Sequence, residues 1–391
     1  MLPQAADLPM APFAGVLRAY LYGGKRGPGG AASSELPLEV FHFHFSRLLA
    51  EAPSSRLSQT LLFLNKTICT SQNTIMASAK PILITGATGK QGGAVLEQLA
   101  THASSSQFVL LAVTRNTASA SAQKITKRFP NVLLVQGDMN DVPDLFKSAQ
   151  NTLKSAGKPS KVWGVYSVQI SLGPGVTFEG EIEQGKAMID ESVAHGVEHF
   201  VYSSVDRGGN AKSFESETPI PHFISKYQIE HHLLEKAGSK GESMGWTILR
   251  PVAFMDNLEP GFKTKVFLAA LRDTLQGKPL QWISTDDIGL FAAKAFCDPE
   301  GWNTRSESLA GDELTFDEMA GCFERVTGSS NIATYGFFGS GLMWAVKELN
   351  VMITWFATDG YGADIGKLKK EEPQLCGFER WLRERSGWKT Q

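Results

Sequence analysis

The chain has 391 residues, 42% of them hydrophobic, with a formal net charge of −2 and an isoelectric point near 6.5. That length can bury a large core and fill one large or two modest domains. The near-neutral balance gives no electrostatic footprint for direct nucleic-acid binding, while leaving room for a partner protein that itself binds DNA.

Residues 1–75 differ from the rest. They carry Pro, Gly and Ser clusters such as GGKRGPGGAASSELP without sustained periodicity, and read as a disordered extension. Met10–Leu21 is interrupted by Pro12 and Arg18 and follows no basic residue, which argues against a secretory signal. Arg and Ser outnumber acids after Arg47, as in a transit peptide, whereas Glu35, Glu39 and Glu51 count against one. The composition therefore fits a cytoplasmic or nuclear protein and leaves a transit peptide open. No apolar run has the length of a membrane span, so no membrane contact is expected. Cys69, Cys297, Cys322 and Cys376 form no C-x-x-C pair, which predicts reduced thiols and no metal site.

Pro81–Thr85 is a short apolar run of β character, followed by Gly86, Gly89 and Gly92 and then by a helical stretch carrying Val95, Leu96 and Leu99. In such a strand–turn–helix the first glycine permits the tight turn. The second lets backbone approach a pyrophosphate, and the third lets the helix pack close to the strand. The helix N-terminus then offers N–H groups to phosphate. This spacing predicts a dinucleotide-binding turn.

Further strands are predicted at Phe108–Thr114, Val132–Gln136, Val162–Val168, His199–Ser203 and Trp246–Arg250. Helices are predicted near Ser119–Phe129, Val142–Ala156 and His222–Lys236. Phe178, Ile182, Gly185, Ile189 and Val193 recur at helical spacing as one apolar stripe. Strand–helix alternation implies parallel pairing with right-handed crossovers. The expected class is α/β, a Rossmann-type doubly wound parallel sheet with a smaller, mixed α/β C-terminal lobe on the substrate side. Residues 79–257 would form the NADP(H)-binding domain, and 258–391 a lobe interleaved with the main sheet. Phe337, Phe338, Trp344, Trp355 and Phe356 would pack the core of that lobe.

Ligands of these sheets lie outside the carboxyl ends of the strands. The second strand ends Thr114-Arg115-Asn116 with no acid nearby. A guanidinium there can fork onto a 2′-phosphate, which favours NADP(H) over NAD(H). Asp138 and Met139 at the third strand would face the adenine. Ser167, Val168 and Gln169 at the fourth would lie along the ribose or nicotinamide.

In short-chain dehydrogenases a tyrosine and a lysine four residues later share one helix face, and the tyrosine relays the proton. Here Lys226 stands in the expected helix, where it would bind the ribose, but position 222 is His222. Tyr227 lies about 100° round the helix from the lysine and cannot simply replace the missing phenol. Ser204 follows the fifth strand, where a hydroxyl would polarise a carbonyl. His222 has an ordinary pKa near neutrality and could donate a proton. It could equally be a half-buried helix-start residue without chemistry.

ITGATGKQGGAV, TRN, GDMND, EQGKAMIDESVAHGVEHFVYSS, HFISK and LRPVAFMDN, in this order, resemble the NmrA-like family of atypical short-chain dehydrogenases over roughly Ala79–Trp388. The resemblance implies that Gly86, Ala87, Thr88, Gly89, Lys90 and Gln91 cradle the pyrophosphate. It places Arg115 and Asn116 at the 2′-phosphate and Asp138 and Met139 at the adenine. Ser167, Val168, Gln169, Lys226, Phe254, Met255, Asp256 and Asn257 would line the nicotinamide side. Histidine in place of the tyrosine is itself a feature of that family, whose members include both reductases and regulators. Two readings follow. One is an NADPH-dependent reductase of a small carbonyl or conjugated substrate, with Lys226, His222 and Ser204 at the reacting end. The other is a catalytically silent NADP(H) sensor that regulates a protein partner such as a transcription factor. Neither the substrate nor the oligomeric state is legible in the residues.

Overall fold

The computed structural model describes residues 79–391 apart from 172 and 174. The extension 1–75 and Cys69 lie outside the described residues.

From the amino end, β1 (Lys80–Ile84), α1 (Lys90–Thr101), β2 (Phe108–Thr114), α2 (Ala120–Arg128), β3 (Leu133–Gln136), α3 (Val142–Ser155) and β4 (Gly164–Ser167) alternate strictly. There follow α4 (Phe178–Ala194), β5 (His199–Ser203), the short α5 (Asn210–Glu215), α6 (Pro221–Ala237) and β6 (Gly245–Pro251). The central strands are apolar on both faces, and β2 is buried along its whole length, as a sheet covered on both sides requires. Beyond β6 the chain forms β7 (Ala253–Phe254), α7 (Phe262–Leu275), β8 (Leu280–Ile283), α8 (Thr285–Cys297), α9 (Pro299–Trp302) and β9 (Arg305–Leu309). It finishes with β10 (Asp312–Leu314), α10 (Phe316–Thr327), α11 (Gly336–Ala345), α12 (Lys347–Thr358), α13 (Ile365–Glu371) and α14 (Phe378–Glu384).

Seven parallel strands pair in the order β3-β2-β1-β4-β5-β6-β9. The chain winds outward from β1 to β3 and then returns to β4, so the order reverses between β1 and β4 and opens a crevice there. Val95, Leu96 and Leu99 of α1 share one buried cluster with Ile288, Phe291 and Ala292 of α8. On the opposite face Leu145 and Phe146 of α3, Met188 of α4 and Ile229 and Leu233 of α6 form a second. This is a Rossmann-type doubly wound sheet. A smaller sheet, β10-β8-β7, carries a third cluster with α7, α10, α12 and α14. The chain leaves for this lobe at β7, returns with α8 and β9 to the main sheet, and leaves again at β10. Among the described residues no helix is long and apolar enough to cross a membrane, and no cluster of metal-ligating side chains occurs.

Two expectations need correcting. The buried stripe of α4 is Glu181, Gly185, Met188, Ile189 and Ser192, rotated from the predicted one. Gly185 explains the roll: a Cβ there would stand 2.4 Å from Cδ1 of Ile229, so α6 presses onto α4 at that point and turns Glu181 inward. In the lobe, Trp355 and Phe356 are core residues, but Phe337 is 66% and Trp344 86% exposed. A Cβ at Gly339 would stand 2.7 Å from the Ala270 backbone nitrogen, so α11 lays its small residues on α7 and its large rings point outward.

Asp287 ties α8 to the segment before α14, its Oδ2 accepting the Cys376 N–H at 3.0 Å. Burial, only partly opposed by that bond, pushes its carboxyl up to about 7. Between the unfolded value near 3.8 and about 7 the folded chain therefore holds the extra proton, and stability falls as pH rises through that window. Asp287→Asn, which keeps an acceptor without the charge, should raise Tm at pH 8 by several degrees and flatten the decline between pH 4 and 7. An unchanged pH profile of Tm would contradict this.

Candidate functional site

The turn after β1 is built by its glycines. Gly86 has φ +61°, and the Gly89 N–H donates to the Gly86 carbonyl at 2.8 Å. A Cβ at Gly92 would stand 2.4 Å from the Gly86 carbonyl and from the Thr85 oxygen, so the helix can approach the strand only with glycine there. Gly89 caps α1 with no side-chain acceptor, leaving its first N–H groups directed at the crevice. Thr85 closes the floor: its hydroxyl accepts the Val168 N–H at 2.9 Å and joins β1 to the end of β4.

One cleft of about 990 Å³ runs from this turn along the carboxyl ends of the strands to the lobe. Gly86, Thr88, Gly89, Lys90, Gln91, Arg115, Asp138, Met139, Val168 and Gln169 line it. So do Ser204, His222, Lys226, Phe254 and Asn257. Arg115 is exposed at the tip of β2 and forms no ion pair among the described residues. Lys90 spans the cleft, paired with Glu259 at 2.8 Å and donating to the Asp256 carbonyl at 2.6 Å. Gln91 accepts the Ser203 hydroxyl at 2.6 Å, which fixes α1 to β5.

Five predicted residues stand elsewhere. Ala87 is buried in the core beneath the turn. The Asn116 side chain folds onto its own loop, its Oδ1 accepting the Ala118 N–H at 2.9 Å. Ser167 is fully buried and accepts Gln169 Nε2 at 2.8 Å. Met255 lies in the lobe core. Asp256 sets the start of α8, its Oδ2 accepting the Thr285 N–H at 2.8 Å. Each is part of the frame around the cleft.

At the reacting end Lys226 and His222 are already engaged by carboxylates. Lys226 Nζ lies 2.8 Å from Glu181 Oε1, and Ser171 and Ser225 each donate to the same carboxylate at 2.7 Å. Burial opposes charge on Glu181, yet the Lys226 charge and these bonds together hold its pKa below the ordinary glutamate value. His222 Nδ1 lies 2.6 Å from Glu348 Oε1 on α12. Burial lowers the His222 pKa in spite of Glu348, so its neutral form prevails at pH 7 with Nδ1–H directed at the carboxylate. The proton donor anticipated at that position is therefore weakened. The Ser204 hydroxyl donates to Glu230, itself gripped by Arg207 and Arg250, so its hydrogen is turned away from the cleft. Tyr227 packs against His231, with ring centroids 4.1 Å apart, and does not reach the cleft.

Sequence reasoning missed Glu181 and Glu348, and with them the lobe wall of Phe267, Trp282, Met352, Phe356 and Tyr361. For Glu181 a signal existed: it falls on the i, i+4, i+7 stripe of Gly185 and Met188, where a carboxylate needs a buried partner. Glu348, Met352, Phe356 and Tyr361 lie 126 residues or more beyond His222, a separation that no periodicity bridges.

The sequence profile of the NmrA-like family matches residues 78–370. An NmrA-like family domain-containing protein of Dictyostelium discoideum is 24% identical over 319 residues, covering 78% of this chain and 97% of its own. An NmrA-like family domain-containing oxidoreductase of Aspergillus hancockii is 25% identical over 267 residues, 64% of this chain and 74% of its own. Solved structures share the fold. Triphenylmethane reductase of Citrobacter sp., complexed with NADP(H), gives a TM-score of 0.57 at 19% identity, over 78% of this chain and 99% of its own. NmrA, a negative transcriptional regulator, in complex with NADP, gives 0.54 at 17% identity, over 79% and 95%. The glycine turn, the strand order and the family profile agree: the chain belongs to the NmrA-like family.

Proposed function

We propose that this protein is an NADP(H)-dependent oxidoreductase that reduces a small carbonyl or conjugated substrate. The observation that carries the reading is the single cleft joining the glycine turn, Arg115, Lys226 and an apolar lobe wall. Two features of the chain fit the dinucleotide. The space above Gly86 and Gly92 is one that a Cβ would fill. Gln169 Oε1, just past the end of β4, is buried with no hydrogen-bond partner among the described residues, so a carboxamide N–H on a ligand would complete it. Arg115 would hold the 2′-phosphate, and the N–H groups of the α1 start the pyrophosphate. Lys226, oriented by Glu181, would hold a ribose hydroxyl. When bound, NADPH supplies the hydride. The lobe wall would cover the substrate and exclude water.

Arg115→Ala should remove most of the preference for NADPH over NADH, a loss of about 1.5–3 kcal/mol for a charge-assisted bond. Titration of both cofactors measures it, and equal affinities in the wild type would sink the assignment.

One observation favours a second reading, a sensor that binds NADP(H) without turnover. Lys226 is already paired with Glu181, the neutral His222 is bonded to Glu348, and the cleft face of α6 carries no phenol. NADPH oxidation measured against a panel of carbonyls and quinones separates the two. Intact NADPH binding with no turnover on any of them would move the assignment to the sensor.

A further inference from the structure

We propose that Trp282 and Tyr361 form an acceptor-binding subsite for an uncharged, aromatic-sized molecule bearing a carbonyl oxygen, and that the site discriminates against carboxylates. This rests on reading the cleft as an oxidoreductase site and names its substrate class.

Trp282 of β8 lines the cleft and is fully buried, and its Nε1–H has no acceptor among the described residues. An orphan N–H of this kind costs a fold about 1–3 kcal/mol until something accepts from it. Tyr361 lines the same cleft. Its ring is held by Phe356, Trp355 and Phe223, at centroid distances of 5.1, 5.7 and 6.4 Å. No hydrogen bond from a described residue engages its hydroxyl. Burial, reinforced by the Asp206 charge, raises its pKa well above the ordinary phenol value, so it remains a donor at any physiological pH. The segments that carry them are tied by Gln281, the neighbour of Trp282. Its side chain donates to the Ala363 carbonyl at 3.0 Å and accepts the Ala363 N–H at 2.9 Å, which sets the Tyr361 segment beside β8.

Selection against anions follows from the charges that face this wall. Lys226 is neutralised by Glu181 at 2.8 Å, and His222, neutral at pH 7, leaves the charge of Glu348 in place 2.6 Å away. A carboxylate ligand would face Glu181 and, behind His222, Glu348, with no unpaired buried cation among the described residues; Lys263 stands exposed at the mouth. A neutral ligand needs only two neutral donors and apolar walls, which Val205, Phe254, Phe267 and Met352 supply. Burying an unpaired charge costs far more than burying a neutral carbonyl that receives a hydrogen bond.

The test uses the full chain, with and without saturating NADPH, and calorimetric titration of three probes of one shape: 2-acetylnaphthalene, 2-ethylnaphthalene and 2-naphthoate. The ketone should bind tightest, with the naphthoate at least about tenfold weaker. Trp282→Phe and Tyr361→Phe should each weaken the ketone about five- to tenfold, the worth of one neutral hydrogen bond, and leave 2-ethylnaphthalene within about twofold. If Trp282→Phe does not fold, Tyr361→Phe alone decides, since it deletes one oxygen. Equal losses for ketone and hydrocarbon, naphthoate binding as tight as the ketone, or no ketone binding would each overturn the subsite. The predicted probe pattern in a protein that fails to bind NADPH would keep the subsite and overturn the cofactor reading instead.

Discussion

Glu230→Ala should destabilise the fold by about 3–5 kcal/mol, because it leaves two buried guanidinium groups without their counter-charge. Arg207 Nη2 and Arg250 Nη2 both lie 2.8 Å from Glu230 Oε2, and Arg250 Nε reaches Oε1 at 3.1 Å. All three side chains are at most 1% exposed. Burial alone would raise the Glu230 pKa, but the two arginines and their hydrogen bonds outweigh it and hold it below the ordinary value. A carboxylate with a depressed pKa contributes stability above its unfolded pKa, and that contribution is lost as pH falls through the folded value. The excess destabilisation of the variant should therefore be present at pH 7 and shrink in strong acid. Chemical denaturation of wild type and variant across that range measures it. As a reference, Glu384→Ala, which breaks only the exposed pair with Arg380, should change stability by less than about 0.5 kcal/mol. A loss below about 1 kcal/mol for Glu230→Ala would mean that water or a rearranged chain satisfies the guanidiniums. The cluster joins α6, β6 and the loop after β5, so its failure would also loosen the cleft floor beneath Lys226.

The second large effect concerns the glycine turn. Gly92→Ala should reduce NADPH affinity by at least about a hundredfold and lower Tm, because the new Cβ meets backbone 2.4 Å away rather than a side chain that could swing aside. Either α1 retreats from β1 or the turn opens, and both displace the N–H groups that would meet the pyrophosphate. The neighbouring residue gives the contrast. A Cβ at Gly93 would stand 3.4 Å from the Ala87 oxygen, an ordinary contact, and alanine is the better helix former by about 1 kcal/mol. Gly93→Ala should therefore match or exceed the wild-type Tm and keep its NADPH affinity. Equal behaviour of the two variants would show that close helix–strand approach does not govern the turn.

The local features of this protein were determined by sequence. β1, the Gly86–Gly92 turn and α1 follow from an apolar run, a glycine spacing and an amphipathic helix, all within the 22 residues Lys80–Thr101. The strand–helix alternation up to β6 required parallel pairing, because short loops and a crossover helix leave few other ways to cover both faces of a sheet. Only the tertiary structure decided which polar groups meet. Glu181 and Lys226 are 45 residues apart and touch because α4 is rolled inward at Gly185. His222 and Glu348 are 126 residues apart and meet because α12 folds over the cleft. These partners determine charge and proton placement at the reacting end, and a pKa depends on burial and on neighbours in space, neither of which residue order encodes. The outward rings of α11 have the same cause: composition marks them as apolar, but the close approach of Gly339 to the α7 backbone fixes which face is covered.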